Sequence, residues 1–136
     1  MKRNTNIKIA AVVAAVLLNG MFMAIFAQKP AISFTQKDYN FGMVSEKGGN
    51  VSCDFEFTNT GDAPLVIISA TASCGCTRPS YPTEPIAPGE KGKIKVTYVP
   101  EGRPGEFVRM VKVRTNADNA KKVNLKITGS VYNPEK

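Results

Sequence analysis

The chain of 136 residues carries 18 Lys and Arg against 11 Asp and Glu, a formal charge of +7, with three cysteines but no histidine and no tryptophan. Without histidine there is no Ser-His-Asp or Cys-His nucleophile, no His zinc ligand and no side chain that titrates unperturbed near neutrality. The length suits one domain.

Residues 1–27 read as an export leader. Lys2, Arg3 and Lys8 form a basic region ahead of an apolar stretch, Ile9 to Phe26, interrupted only by Asn19 and Gly20. Small Ala27 precedes Gln28 and Pro30, and no acidic residue occurs before Asp38. This is the basic, apolar, small-residue plan of a signal peptide, so a signal-peptide helix is expected here. Cleavage is expected after Ala27, although Ile25 stands where a small residue is preferred. Cleavage after Ala24 is one alternative, and an uncleaved anchor is another, since the stretch approaches the ~20 residues that span a bilayer. The Asn-Gly pair near its centre favours cleavage. Losing the leader removes three cations. The mild basic excess that remains lacks the clustered Arg and interleaved aromatics of a nucleic-acid surface. Nucleic acid is therefore not expected as a partner, and membrane contact is expected only through a retained leader.

From residue 28 onward, period-two alternation replaces helical periodicity. Ala31–Phe34 and Tyr39–Val44 are short extended pieces, and Lys47-Gly48-Gly49-Asn50 turns the chain into the clearest strand, Val51–Thr58. There Val51, Cys53, Phe55 and Phe57 point one way and Ser52, Asp54, Glu56 and Thr58 the other, as one dry and one wet face require. Asn59-Thr60-Gly61-Asp62 forms the next turn, with Gly61 expected at positive φ. Leu65-Val66-Ile67-Ile68 is a denser apolar run of unclear phase, expected to carry a bulge or to be covered on more than one side. After the Pro85–Gly89 loop, Lys91–Tyr98 buries Ile94, Val96 and Tyr98 and exposes Lys93, Lys95 and Thr97. Pro100–Gly105 is another loop, and Phe107–Arg114 another apolar run of unclear phase. Asn116–Asn119 closes a hairpin into Val123, Leu125, Ile127 and Val131, which alternate with Asn124, Lys126, Thr128 and Tyr132. Seven or eight short strands at roughly 8–12-residue spacing predict an all-β, immunoglobulin-like sandwich over residues 28–136.

One constellation can carry chemistry: Cys74-Gly75-Cys76-Thr77-Arg78, with Cys53 elsewhere. In a structural reading Cys53, facing inward on its strand, bridges to Cys74 or Cys76, which would stabilise the fold by about 3 kcal/mol. Alternatively Cys53 packs as a buried thiol. In a redox reading Cys74 and Cys76, about 6–7 Å apart between Cα atoms if extended, approach through a bend at Gly75 and pair with each other, with Arg78 favouring thiolate. In a metal reading the two thiolates hold Cu(I), helped by Met43 or Met110, although those methionines are better read as core filler. Three cysteines without histidine cannot close a four-ligand zinc site alone, and no other cofactor is expected. Asp54, Glu56 and Asp62 are the candidate acid-base carboxylates, with Asp54 and Glu56 more simply the wet face of their strand. Lys91, Lys93 and Lys95 read as a basic row that discourages unwanted pairing on an exposed or edge strand, or that attracts acidic glycans or lipid head groups. Asn50-Val51-Ser52 matches the glycosylation acceptor pattern.

Phe34…Asp38-Tyr39-Asn40-Phe41-Gly42-Met43-Val44, Asn59-Thr60-Gly61-Asp62-Ala63-Pro64-Leu65, Ser73-Cys74-Gly75-Cys76-Thr77, Pro85-Ile86-Ala87-Pro88-Gly89 and Thr115-Asn116 together give the chain a family likeness. It resembles domain-of-unknown-function family 1573, found in exported proteins of Bacteroidota and similar to the hydin-type and major-sperm-protein-like sandwiches. The resemblance spans almost everything after the leader. It implies a binding or structural module in the periplasm or at the surface of a Gram-negative bacterium, and it carries over no catalytic residue. The expected function is therefore a non-enzymatic envelope module whose partner is another envelope protein or a glycan, bound at the Cys74–Arg78 loop or along a free sheet edge. The alternative is a thiol-disulfide or Cu(I)-handling protein.

Overall fold

The structure, a computed structural model, describes residues 27–136; the leader and its cleavage fall outside that range, apart from Ala27 itself. Eight strands follow in order: β1 (Ile32–Phe34), β2 (Asp38–Ser45), β3 (Val51–Asn59), β4 (Ile67–Ala72), β5 (Thr77–Ser80), β6 (Lys91–Tyr98), β7 (Gly105–Thr115) and β8 (Lys122–Tyr132). They form two four-stranded sheets, β1-β3-β6-β5 and β2-β8-β7-β4. Every pairing is antiparallel except β2 with β8, which is parallel. This is the immunoglobulin-like sandwich that the alternation predicts.

The dry faces meet between the sheets. Phe55, Phe57, Ile94 and Val96 from the first sheet and Val111, Val113, Leu125 and Ile127 from the second are fully buried. Tyr98 and Phe107 stack across the gap at 3.9 Å between ring centroids, their planes 13° apart. Both apolar runs of unclear phase now resolve. The Leu65–Ile68 run carries an irregularity between Ile67 and Ser69, where β4 joins β7. β7 has no bulge against β8: it alternates cleanly, and its phase looked blurred because Val108 and Met110 lie on the solvent side while Arg109 shares the inner face.

Three expectations need correction. Gly61 is not among the positive-φ glycines. Its constraint is proximity, because a Cβ there would sit 2.3 Å from the Lys29 carbonyl oxygen and 2.5 Å from the Ala31 nitrogen. Lys91, Lys93 and Lys95 lie on β6, which is interior to its sheet, so they guard no edge. Lys95 faces Asp54 and Lys93 faces Glu56 across the β3–β6 ladder, and Lys91 Nζ lies 3.4 Å from Glu56 Oε1. Alternation of charge across strands explains the row. Met43 and Met110 are not core filler: they are 68% and 42% exposed.

One end of the sandwich is braced by asparagines. Buried Asn59 accepts from Gly61 N at 3.0 Å and donates from Nδ2 to Ala63 O at 2.8 Å and Ile86 O at 2.9 Å. Asn116 accepts from Val66 N at 2.8 Å and donates to Pro64 O at 3.2 Å. Asn119 holds both the N–H and the carbonyl of Ile32, at 3.0 and 2.9 Å. Backbone groups of the loops and of the outer edge of β1 that no neighbouring strand satisfies are thereby paired. The opposite end, where β3, β5 and β7 start and β4, β6 and β8 finish, carries the cysteine loop.

Candidate functional site

The cysteine loop is the crossing from β4 in one sheet to β5 in the other. Short β5 escaped the alternation because Pro79 interrupts it; β5 is an edge strand, where a missing N–H is tolerated. The loop is held by its own backbone: Thr77 N donates to Cys74 O at 3.1 Å and Val99 N to Cys76 O at 2.8 Å. Arg78 Nε donates to Gly75 O at 3.4 Å. Cys76 is buried, 2% exposed, and Thr77 beside it is buried as well, with its hydroxyl 3.6 Å from Cys76 Sγ. Cys74 is half-buried, and Gly75 and Arg78 are exposed.

Cys74 and Cys76 form a disulfide, with 5.2 Å between their Cα atoms, inside the range that disulfides need. The bridge from Cys53 to either of them is therefore corrected: Cys53 is free and buried, on the β3 row opposite Val96. The backbone bends enough to join the pair while Gly75 stays out of the positive-φ region. In chain-entropy terms a ring this small contributes roughly half the ~3 kcal/mol of the bridge expected from Cys53. Cys76 N also donates to Cys74 Sγ at 3.2 Å. Arg109 lies on the inner face of β7, two residues before Val111, the partner of Ala72 at the end of β4. With Arg103 in the β6–β7 loop, three guanidinium groups thus stand at this end of the molecule, and no carboxylate lies within ion-pair distance of any of them among the described residues.

The remaining candidates are scattered. Asp54 and Glu56 lie on the outer face of the first sheet among the β6 lysines. Asp62 accepts from Lys29 N at 2.7 Å at the braced end. The three carboxylates do not converge. Among the described residues no group of three or more His, Cys, Asp or Glu could hold a metal ion. Met110 lines a small depression with Thr71, Ala72, Ser73 and Lys112, and Met43 a different one with Val108 and Thr128, so the two thioethers do not share a site.

The free sheet edge expected as a second binding mode had no strand assigned to it from the sequence; in the structure β4 offers one. β4 pairs only with β7. Behind it on the outer face lie Lys112, in register with Thr71, and Arg114, in register with Ser69. Thr71, Lys112, Arg114, Lys122 and Asn124 line a depression of about 470 Å³.

The model of the family described as "Protein of unknown function (DUF1573)" matches residues 32–131. No curated protein matches the sequence. Among solved structures, the chain resembles a protein of unknown function from Porphyromonas gingivalis W83, with TM-score 0.66 and 16% identity over 76% of this chain and 48% of that one. It also resembles the VesB protease of Vibrio cholerae, with TM-score 0.60 and 18% identity over 73% of this chain and 31% of that one. The third is the ASH/PapD-like domain of human CEP192, with TM-score 0.58 and 14% identity over 77% of this chain and 87% of that domain. The chain spans less than half the length of the first two. At these identities the likeness concerns the fold alone, an immunoglobulin-like sandwich.

Proposed function

The chain belongs to the DUF1573 family, and from that premise we propose that it is an exported, non-catalytic binding module of a Gram-negative cell envelope, whose partner adds an extended strand to β4. The observation that carries this reading is the contrast among the four sheet edges. β1 is three residues long. β2 is interrupted between Asn40 and Met43, where Gly42 takes φ +70°. β5 contains Pro79. Each device discourages a neighbour. β4 has its own irregularity, between Ile67 and Ser69, but beyond it Ser69-Ala70-Thr71-Ala72 runs on without proline or further break, so its outward N–H and C=O groups are free to continue the ladder.

Charge selects the partner. Lys112, Arg114 and Lys122 crowd the face behind this edge, which repels a second copy of the same edge and attracts an acidic polypeptide segment. Backbone pairing favours a polypeptide over a glycan, because only a peptide completes the ladder. The export leader read from the sequence supplies the location.

Envelope extracts passed over immobilised protein test this. Retention of one acidic partner by the wild type, and its loss in Lys112→Glu/Arg114→Glu with an unchanged melting temperature, is expected. Equal retention by the variant, a glycan as the retained species, or native protein found in the cytosol would each defeat the reading.

A further inference from the structure

We infer that the Cys74–Cys76 disulfide is an exchange site, opened and closed by external thiols without unfolding the domain. This goes beyond the binding module and stands without it. Four observations carry it.

The bond spans two residues in a segment whose ends are already fixed, since β4 is laddered to β7 and β5 to β6. As a staple it restrains only a short stretch of chain, about half as much as a long-range bridge would. The loop's shape also does not depend on it, because Thr77 N to Cys74 O and Val99 N to Cys76 O hold the turn independently. The two sulfurs are unequal: Cys74 is half-buried and Cys76 buried, so an incoming thiolate meets Cys74 first. Finally, Cys76 N donates to Cys74 Sγ at 3.2 Å and the Arg78 side chain rests on the same turn through Gly75 O, and both favour negative charge on Cys74 once it is released. Cys53, buried on β3, offers no accessible competing thiol.

The exchange balances in two steps. A thiolate attacks Cys74 Sγ; the Cys74–Cys76 bond breaks, its electron pair stays on Cys76 Sγ, and that sulfur takes a proton from water. A second thiolate then attacks the external sulfur of the mixed disulfide, releasing Cys74 as thiolate and the two donors as a disulfide. Two electrons have passed from the donors to the pair, and the reverse sequence returns them to a disulfide on a partner.

The test incubates native protein with excess reduced glutathione or, separately, with a reduced dithiol protein of the thioredoxin class. Samples are quenched in acid, alkylated after denaturation and weighed. Three alkylated thiols in place of one are expected while circular dichroism stays native. Reduction by glutathione identifies a small thiol as sufficient, and reduction by the dithiol protein alone assigns the donor to a protein. A single alkylated thiol in both arms overturns the inference. Cys76→Ser, exposed to oxidised glutathione, is expected to trap a mixed disulfide on Cys74, whereas Cys74→Ser traps none on Cys76. Equal trapping by both variants overturns the order of attack, and the wild-type measurement decides the exchange itself should either variant fail to fold.

Discussion

Cys53 and Cys74 illustrate how differently one residue type behaves in two settings. The Cys53 thiol is pushed up from 9.0 to about 11, first by burial and then by the adjacent Asp54 charge. Because the unfolded chain ionises this thiol at lower pH than the folded one, its contribution is complete below pH 9.0 and is lost as pH rises towards about 11. Denaturant midpoints on either side of that window are expected to fall further for wild type than for Cys53→Ala, and parallel profiles would contradict the assignment. Spacing alone could not choose among three cysteines, since both long-range bridges and the short ring are sterically open until the register of β3 and the course of the β4–β5 crossing are known. Gly61 and Gly75 make a second contrast. A methyl at Gly61 meets backbone at 2.3 Å, whereas one at Gly75 meets nothing within 4 Å. Gly61→Ala is expected to cost about 2 kcal/mol or more by overpacking, and Gly75→Ala to leave the melting temperature within a degree or two, of the order seen for neutral surface changes. Comparable melting of the two variants would refute this.

At the scale of single elements, legibility followed chemistry. β3, β6 and β8 declare themselves because each has a dry and a wet face, and strict alternation then follows from the pleat. β7 is blurred by Val108 and Met110 on its outer face and by Arg109 on its inner one, an inversion at its start that no period-two filter separates. β5 is hidden by Pro79, a residue that argues against a strand everywhere except at an edge. The short motifs shared with the family divide in the same way. Asn59, Gly61 and Asn116 turn out to brace one end of the sandwich, so their identities are dictated by backbone groups needing partners. The Cys74–Cys76 segment has no comparable bracing duty. The free edge of β4 has no signature of its own in the sequence, because an unpaired ladder is a property of the sheet order and not of any residue in it.

The molecule as a whole is built from distant pairings. β1 joins β3, β6 lies between β3 and β5, and β4 meets β7 across more than thirty residues. Loop closure on this scale precedes the reward of packing, so refolding is expected on the millisecond-to-second timescale, roughly that of other sandwiches dominated by non-local contacts. Stopped-flow fluorescence of the tyrosines, above all Tyr98 in its stack, checks this; recovery in microseconds would rule it out. Composition and alternation announced the class of fold, but the choice of neighbours within each sheet depended on which loops could pass over which ends.

The parallel contact between β2 and β8 fixes the sequence of events in the life of a new chain. A polypeptide delivered from its amino end presents β2 early and must wait for the final strand before that register exists. Until then the first sheet can gather while the second stays ajar, its oily inner side within reach of chaperones, proteases or a neighbouring copy. Completion of the last segment acts as a latch, and a ribosome or translocon that stalls short of it leaves a half-closed sandwich behind.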